Sequence, residues 1–168
     1  MMSEGDSAFW QFSLRFYRRS EVAAHCIDLQ DTHDVDVNLL FFIFFLAIHQ
    51  RQLSSDDVRA IDAYVSAWRK RVVQPLRAIR RELKNGIAPI DAQTAQDLRR
   101  AIQRDELQAE RLQQELLERA FPAHSTGTMA APRTAAAANI AAYSVLTGSL
   151  PAAAVDTLLA SLAEEFSV

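Results

Sequence analysis

Residues 39–48, Leu-Leu-Phe-Phe-Ile-Phe-Phe-Leu-Ala-Ile, constrain the fold of this chain more than any other stretch. The run contains no polar residue, and Phe41, Phe42, Phe44 and Phe45 would occupy every side of any regular structure it formed. A helix at a protein surface keeps one polar face; this one has none, so it must be buried all round. Spanning a bilayer takes roughly 20 apolar residues, so the run is too short for a membrane helix and reads as a core helix. Asp34 and Asp36 precede it and His49-Gln50-Arg51 follows, the order of charge that the helix dipole favours.

A buried helix needs other elements around it, and 168 residues suffice for one domain with a core of its own. Apolar residues make up 49% of the chain, inflated by alanine, while Gly and Pro number only 4 and 5, which favours helix over sheet. The expected architecture is all-α: a single domain over residues 1–168, a bundle of about seven helices around the Phe-rich one, with no sheet. The net charge of −3 provides no global attraction to nucleic acid or anionic lipid, so no nucleic-acid partner is expected. The lone Cys26 excludes an internal disulfide and suits a reducing compartment. The acidic, polar start, Met-Met-Ser-Glu-Gly-Asp-Ser, has the wrong sign for a secretory leader, so the expected location is the cytosol.

In chain order, residues 1–6 are expected to fray. A first helix over about residues 8–19 sets Phe9, Phe12 and Phe16 on one stripe, widened by Trp10, Leu14 and Tyr17. That stripe reads as core-facing; Trp10 and Tyr17, each with a polar tip, are the candidates for lining a pocket. A short helix follows to about Gln30, then a polar turn at Asp31-Thr32-His33, with Asp34 or Asp36 capping the core helix. Ser54-Ser55-Asp56-Asp57 starts a long helix ending near Gly86. Val58, Ile61, Val65, Trp68, Val72, Leu76, Ile79 and Leu83 form its apolar stripe, and Pro75 predicts a kink. Asp91 is expected to cap a third long helix reaching Ala120, with Leu98, Ile102, Ala109, Leu112 and Leu116 as its apolar face. Two long helices joined by a short turn should pack as an antiparallel hairpin. Residues 122–132 form the one loop of any length, expected to be mobile, and residues 133–168 an Ala-rich helical pair, the second helix capped by Ser149.

One polar constellation precedes the core helix. His25, Cys26, Asp28, Asp31, His33, Asp34 and Asp36 could each hold a divalent cation, since hard cations want clustered carboxylates and zinc takes His, Cys and carboxylate. Asp34-x-Asp36-x-Asn38 imitates the start of a calcium loop, but Leu39 stands where glycine is needed and Phe45 where the bidentate Glu belongs. Asp28 and Asp31 share a helix face as in prenyl-diphosphate enzymes, without the second acidic motif those enzymes carry. Against a metal or ligand site at Asp28, Asp31, His33, Asp34, Asp36 and Asn38 stands a structural reading, in which the carboxylates cap and solvate and Asn38 bonds within the first turn or to Gln30 or Asp31. On the long hairpin, Lys70, Arg77, Arg81 and Lys84 make a basic face that is either solvated or docks an acidic partner. No Gly-rich phosphate loop, G-x-S-x-G elbow or C-x-x-C pair occurs, and no cofactor is implied.

Phe9-Trp10-Gln11-Phe12-Ser13-Leu14, Tyr17, Leu29-Gln30-Asp31 and Asp36-Val37-Asn38-Leu39-Leu40-Phe41 resemble the signature of a family of small proteobacterial proteins known only as a domain of unknown function. Trp68-Arg69 and Val73-Gln74-Pro75-Leu76-Arg77 are similar to it as well. The resemblance covers about residues 8–120 and implies a bacterial cytosolic helical protein; it carries over no catalytic residue. Two function classes stay open. One is a non-enzymatic interaction or assembly protein, favoured by the lack of a complete catalytic set; the other is a metal- or small-molecule-binding protein or enzyme built on the acidic turn.

The burial argument is directly testable. Phe42→Asp or Phe44→Asp is expected to abolish folding, because an unpaired buried charge costs several kcal/mol. Far-UV circular dichroism of the soluble fraction checks this; a fully helical, soluble variant would show that the run is exposed.

Overall fold

The fold is built outward from the Phe-rich helix. The computed structural model describes residues 7–168 and places α3 (Val37–Ile48) in the middle of the core, with Leu39 through Ala47 all buried. The segment expected to fray lies outside the described residues. α1 (Ala8–Tyr17) starts where Ser7 Oγ accepts the Trp10 N–H at 3.0 Å, and it lays its aromatic stripe on α3. Ring centroids of Phe9 and Phe42 lie 5.0 Å apart, of Phe16 and Phe41 5.2 Å, and of Phe12 and Phe45 5.7 Å. Such pairs contribute about 0.5–1.5 kcal/mol each beyond the area they bury. α2 (Ser20–His33) adds Val22, Cys26 and Leu29. It continues through the expected turn at residues 31–33, and the chain reverses instead at Asp34, in the left-handed region at φ 52°.

On the other side of α3 lies α7 (Pro132–Thr147), whose Ala135 and Ala136 are buried; small side chains let the two helices approach closely. α8 (Ala152–Phe166) closes the bundle, with Phe166 stacked 4.6 Å from Phe12. Its cap position is Pro151 rather than the expected Ser149. α6 (Gln96–Ala120) begins five residues after the expected cap, because Asp91 spends its carboxylate on the Thr94 N–H in the preceding turn.

α4 (Ser55–Trp68) opens with a reciprocal capping box between Ser54 and Asp57. It then passes through a π-helical turn, Arg69–Val73, directly into α5 (Gln74–Glu82). The predicted kink at Pro75 is therefore resolved as a π turn just ahead of the proline. Gln74 N–H bonds to the Arg69 carbonyl five residues back, and Pro75, the second residue of α5, has no N–H with which to continue the ladder. Counting α4–π–α5 as one rod gives seven helical rods among the described residues, the expected number. Tyr64 meets Phe121, with ring centroids 5.5 Å apart, Trp68 Nε1 donates to the Ala109 carbonyl and Arg80 reaches Glu106, so this rod and α6 run antiparallel.

A sheet was not expected, yet β1 (Arg51–Gln52) and β2 (Thr128–Met129) pair antiparallel. The two residues of each strand are too few to leave a period-2 pattern in the sequence. Arg51, buried, donates to the Thr126 and Gly127 carbonyls at 2.6 and 2.7 Å and so ties the segment 122–132 to the end of α3. Gly127 has φ 70°, and a Cβ there would collide with the Gln52 carbonyl. Asn139 of α7, fully buried, completes the joint. It accepts the Leu53 N–H at 2.7 Å and donates to the Ile43 and Arg51 carbonyls at 2.9 and 3.0 Å.

The opposite end of α3 is held by Asp36. One carboxylate oxygen caps the helix, accepting from Asn38 N at 2.9 Å and Leu39 N at 3.3 Å. The other accepts from Arg69 at 3.0 Å and from Gln113 Nε2 at 2.7 Å, and the Asp36 N–H donates to the Tyr143 hydroxyl at 3.1 Å. A cap alone would be worth about 0.5–2 kcal/mol, the scale expected from sequence. Breaking a buried ion pair by removing one partner costs about 3–5 kcal/mol. Asp36→Ala is therefore expected to lose about 3–5 kcal/mol in urea unfolding, and Asp36→Ala with Arg69→Met less than the sum of the two single changes.

Candidate functional site

The π turn inserts an extra residue into a helical turn, which rotates everything after it by about 100°. Before it, the expected stripe is buried at Val58, Ile61 and Val65; after it, Val73 rather than Val72 is inside. Ile79 becomes exposed and α5 has no fully buried residue. The same rotation turns Arg77 from the expected solvent face toward α6, with Arg80 beside it. Arg77 donates to Glu106 at 3.0 Å and to Glu110 at 2.6 Å, and Arg80 holds both oxygens of Glu106.

α6 answers with polar residues at core spacing. Its buried positions are Glu106, Ala109, Gln113, Gln114 and Leu117; of the predicted apolar face only Ala109 is among them, and Leu98 and Leu112 are exposed. The inward Glu106 carboxylate and the inward amide N–H groups are tolerated because they find partners: Arg77 and Arg80 for Glu106, Asp36 for Gln113 Nε2, and Asn38 for Gln114 Nε2 at 2.7 Å. Asn38 is thus satisfied by α6, not by the first turn or by Gln30 or Asp31 as expected.

Between this polar side of α6, the basic side of α5 and the aromatic side of α1 lies a cleft of about 550 Å³. Trp10, Leu14, Tyr17, Ile27, Phe41 and Leu107 supply its apolar wall, and Arg77, Arg80, Arg81, Lys84 and Arg99 its basic wall. From Arg99 to Gln114 the cleft follows α6 for about 22 Å, at 1.5 Å per residue. Among the described residues four buried side-chain polar atoms lack a partner, and three of them, Ser13 Oγ, Arg99 Nε and Gln114 Oε1, belong to residues that line this cleft. Cys26 lines it too, with its thiol pushed up to about 12 by burial.

The residues singled out from sequence separate in the structure. Trp10, Tyr17, Asp31, Asn38, Arg77, Arg81 and Lys84 all line the cleft. Asp34 and Asp36 line a smaller adjoining cavity of about 320 Å³, which shares Gln30, Arg77 and Arg81 with the larger one. Asp28, His33 and Lys70 line neither. Two of the acidic residues pair with cations, Asp31 with Arg81 and Asp36 with Arg69, and Asp34 accepts from the neutral Gln74 amide at 3.4 Å. Among the described residues no three His, Cys, Asp or Glu side chains are grouped so as to hold a metal ion. Sequence reasoning missed Arg80, Arg99, Glu106, Glu110 and Gln114. Their signal was present, since Arg99, Gln103, Glu106, Glu110 and Gln114 follow one another at spacings of four and three, a polar stripe where a core helix would carry leucines.

The two glutamates, one helical turn apart, are tuned in opposite directions. Burial alone would raise Glu106, but hydrogen bonds from Arg80 and Arg77 hold it below the ordinary glutamate value. At Glu110 burial outweighs the single bond from Arg77, and the carboxyl is raised. A lowered carboxyl contributes stability that is present above the unfolded value, about 4.3, and is lost as pH falls through the folded one. Glu106→Gln is therefore expected to be less stable than wild type at neutral pH, with the gap closing as pH falls below about 4.3. Urea unfolding across that range checks it; a gap independent of pH would remove Glu106 from the acid response.

Among the described residues no helix is long and apolar enough to cross a membrane. No curated protein and no solved structure matches the chain. Residues 8–117 match the family described as Protein of unknown function (DUF2390), the segment that runs from the first residue of α1 almost to the end of α6 and contains every wall of the cleft. The chain belongs to that family.

Proposed function

We propose that this protein is a non-enzymatic binding protein whose cleft takes up a small organic anion with an apolar, ring-sized body. The observation that carries the reading is the pairing of an aromatic wall, Trp10, Tyr17 and Phe41, with a wall of five cations across one cavity. Small-molecule sites combine an apolar lining with a few fixed polar groups, in volumes of about 300–1,000 Å³. The unpartnered Ser13 Oγ, Arg99 Nε and Gln114 Oε1 are polar groups of that kind. The one nucleophilic thiol in the cleft, Cys26, is held in its unreactive protonated form, which supports binding rather than covalent catalysis. A cytosolic setting agrees with a lone thiol kept reduced.

A second reading, docking of an acidic segment from a protein partner, is favoured by the rim. Leu14, Tyr17, Ile27 and Leu107 all line the cleft yet are 43%, 42%, 51% and 51% exposed. Such a segment would occupy the same walls and compete with the small anion.

The probe is 1-anilinonaphthalene-8-sulfonate, an aromatic anion whose fluorescence rises on burial. Wild type is expected to bind it saturably at one site, and Tyr17→Ala to weaken binding by about tenfold, the scale of one lost aromatic contact. Val145→Ala, a change at an exposed residue away from the cleft, serves as the control. Equal binding by Tyr17→Ala and Val145→Ala, or no saturable uptake, overturns the reading.

A further inference from the structure

The cleft has unequal ends, and the inequality is one of charge. Three carboxylates line it, and each is taken: Asp31 by Arg81, Glu106 by Arg77 and Arg80, Glu110 by Arg77. Of the five cations on its wall, three are therefore matched. The other two, Lys84 and Arg99, have no acidic partner among the described residues. They come from opposite sides of the same end, Lys84 just past the last turn of α5 and Arg99 in the first turn of α6. Arg80 stands one turn before Lys84, and Gln103 one turn after Arg99, both also lining the cleft.

Resting on the cleft reading above, we propose that this end is a phosphomonoester site, in which Lys84 and Arg99 hold the dianionic head of a ligand whose apolar body lies along Leu14, Tyr17 and Trp10. A phosphomonoester carries about −1.5 to −2 at neutral pH and matches two unpaired cations, whereas a carboxylate or sulfonate leaves one of them unmatched. The guanidinium fork suits two phosphate oxygens at once, and the lysine ammonium adds a mobile point charge. The Arg99 Nε–H is buried and without an acceptor, so a phosphate oxygen would satisfy a donor that is otherwise orphaned. The Gln103 amide, one turn along α6, can donate to a third oxygen. At the far end the Ser13 hydroxyl and the Gln114 carbonyl oxygen await a donor–acceptor group, so the ligand's body is expected to carry a hydroxyl or an amide at about the reach of Trp10.

Three probes share one ring and differ in charge: 1-naphthyl phosphate, 1-naphthalenesulfonate and 1-naphthol. Calorimetric titration of wild type is expected to rank phosphate about tenfold or more tighter than sulfonate and naphthol. Lys84→Gln with Arg99→Gln is expected to erase that ranking while leaving 1-naphthol binding unchanged, which also shows that the variant is folded. Affinity for the phosphate should fall as pH drops through about 6, where its second proton returns, and affinity for the sulfonate should not. Sulfonate binding as tight as phosphate, an unaltered ranking in the double variant, or inorganic phosphate competing on equal terms with naphthyl phosphate would each overturn the assignment. If 1-naphthol binds with no preference for phosphate, only this inference falls; if no naphthyl compound binds, the cleft reading falls with it.

Discussion

The fold depends on one carboxylate. Asp36 caps the core helix, pairs with Arg69 in the π turn, accepts from Gln113 of α6, and through its N–H meets Tyr143 of α7. Four elements are thus fixed to one residue at the point where the chain enters an apolar helix. An all-apolar helix supplies burial in every direction and orientation in none, because its surface offers neighbours no distinguishing group. A buried polar contact can be satisfied in only one arrangement, so it fixes register where hydrophobic packing would tolerate sliding. At the other end Asn139 has the same role, with three bonds spread over α3, β1 and Leu53. Tyr143, buried against Asp36, has its hydroxyl held strongly in the protonated form, first by burial and then by that carboxylate, so it remains a hydrogen-bond donor and acceptor and never a charge.

Much of the fold was legible because it follows from local rules. The core position of residues 39–48, the aromatic stripe of α1, the Ser54 start of α4, the hairpin and the Ala-rich closing pair all come from composition and spacing. The register of α5 was not legible. A stripe drawn at a constant 100° per residue assumes an unbroken α-helix, and one inserted residue turns Val72 and Ile79 off the buried side, while Leu83, past the end of α5, is buried as expected. Pro75 signalled an interruption without revealing its form. The two short strands and the Arg51 clamp were beyond reach for another reason: they depend on contacts between residues more than seventy positions apart.

The candidate site was half legible. Trp10, Tyr17, Asp31, Asn38, Arg77, Arg81 and Lys84 were picked out singly, on three separate grounds, as pocket, acidic turn and docking face. The structure brings them to one cleft, so the three readings describe different walls of the same place. What hid this was the treatment of acidic and basic groups as separate sites. Asp31 with Arg81, and Glu106 with Arg77 and Arg80, neutralise one another across helices, which sequence spacing within a helix does not reveal. The polar stripe on α6 was passed over because a search for leucines at heptad spacing finds Leu98 and Leu112, both of which are exposed.

The π turn joins these points into one chain of cause. Without the inserted residue, Ile79 would continue the apolar stripe toward α6 and Arg77 and Arg80 would face water. The hairpin would then close on itself through aliphatic contacts, and Glu106 and Glu110 would have no cations to face. With it, α5 meets α6 through charge pairs, Arg77 and Arg80 with Glu106 and Arg77 with Glu110. The cleft lies beside these pairs, and on α1 it leaves Leu14 and Tyr17 partly exposed. The π turn also serves the fold, since it carries Arg69, the cation that pairs with the buried Asp36. The proline that follows it confines the irregularity to residues 69–73 by making a plain α-helix through Pro75 unfavourable, and so it sets which side chains line the site.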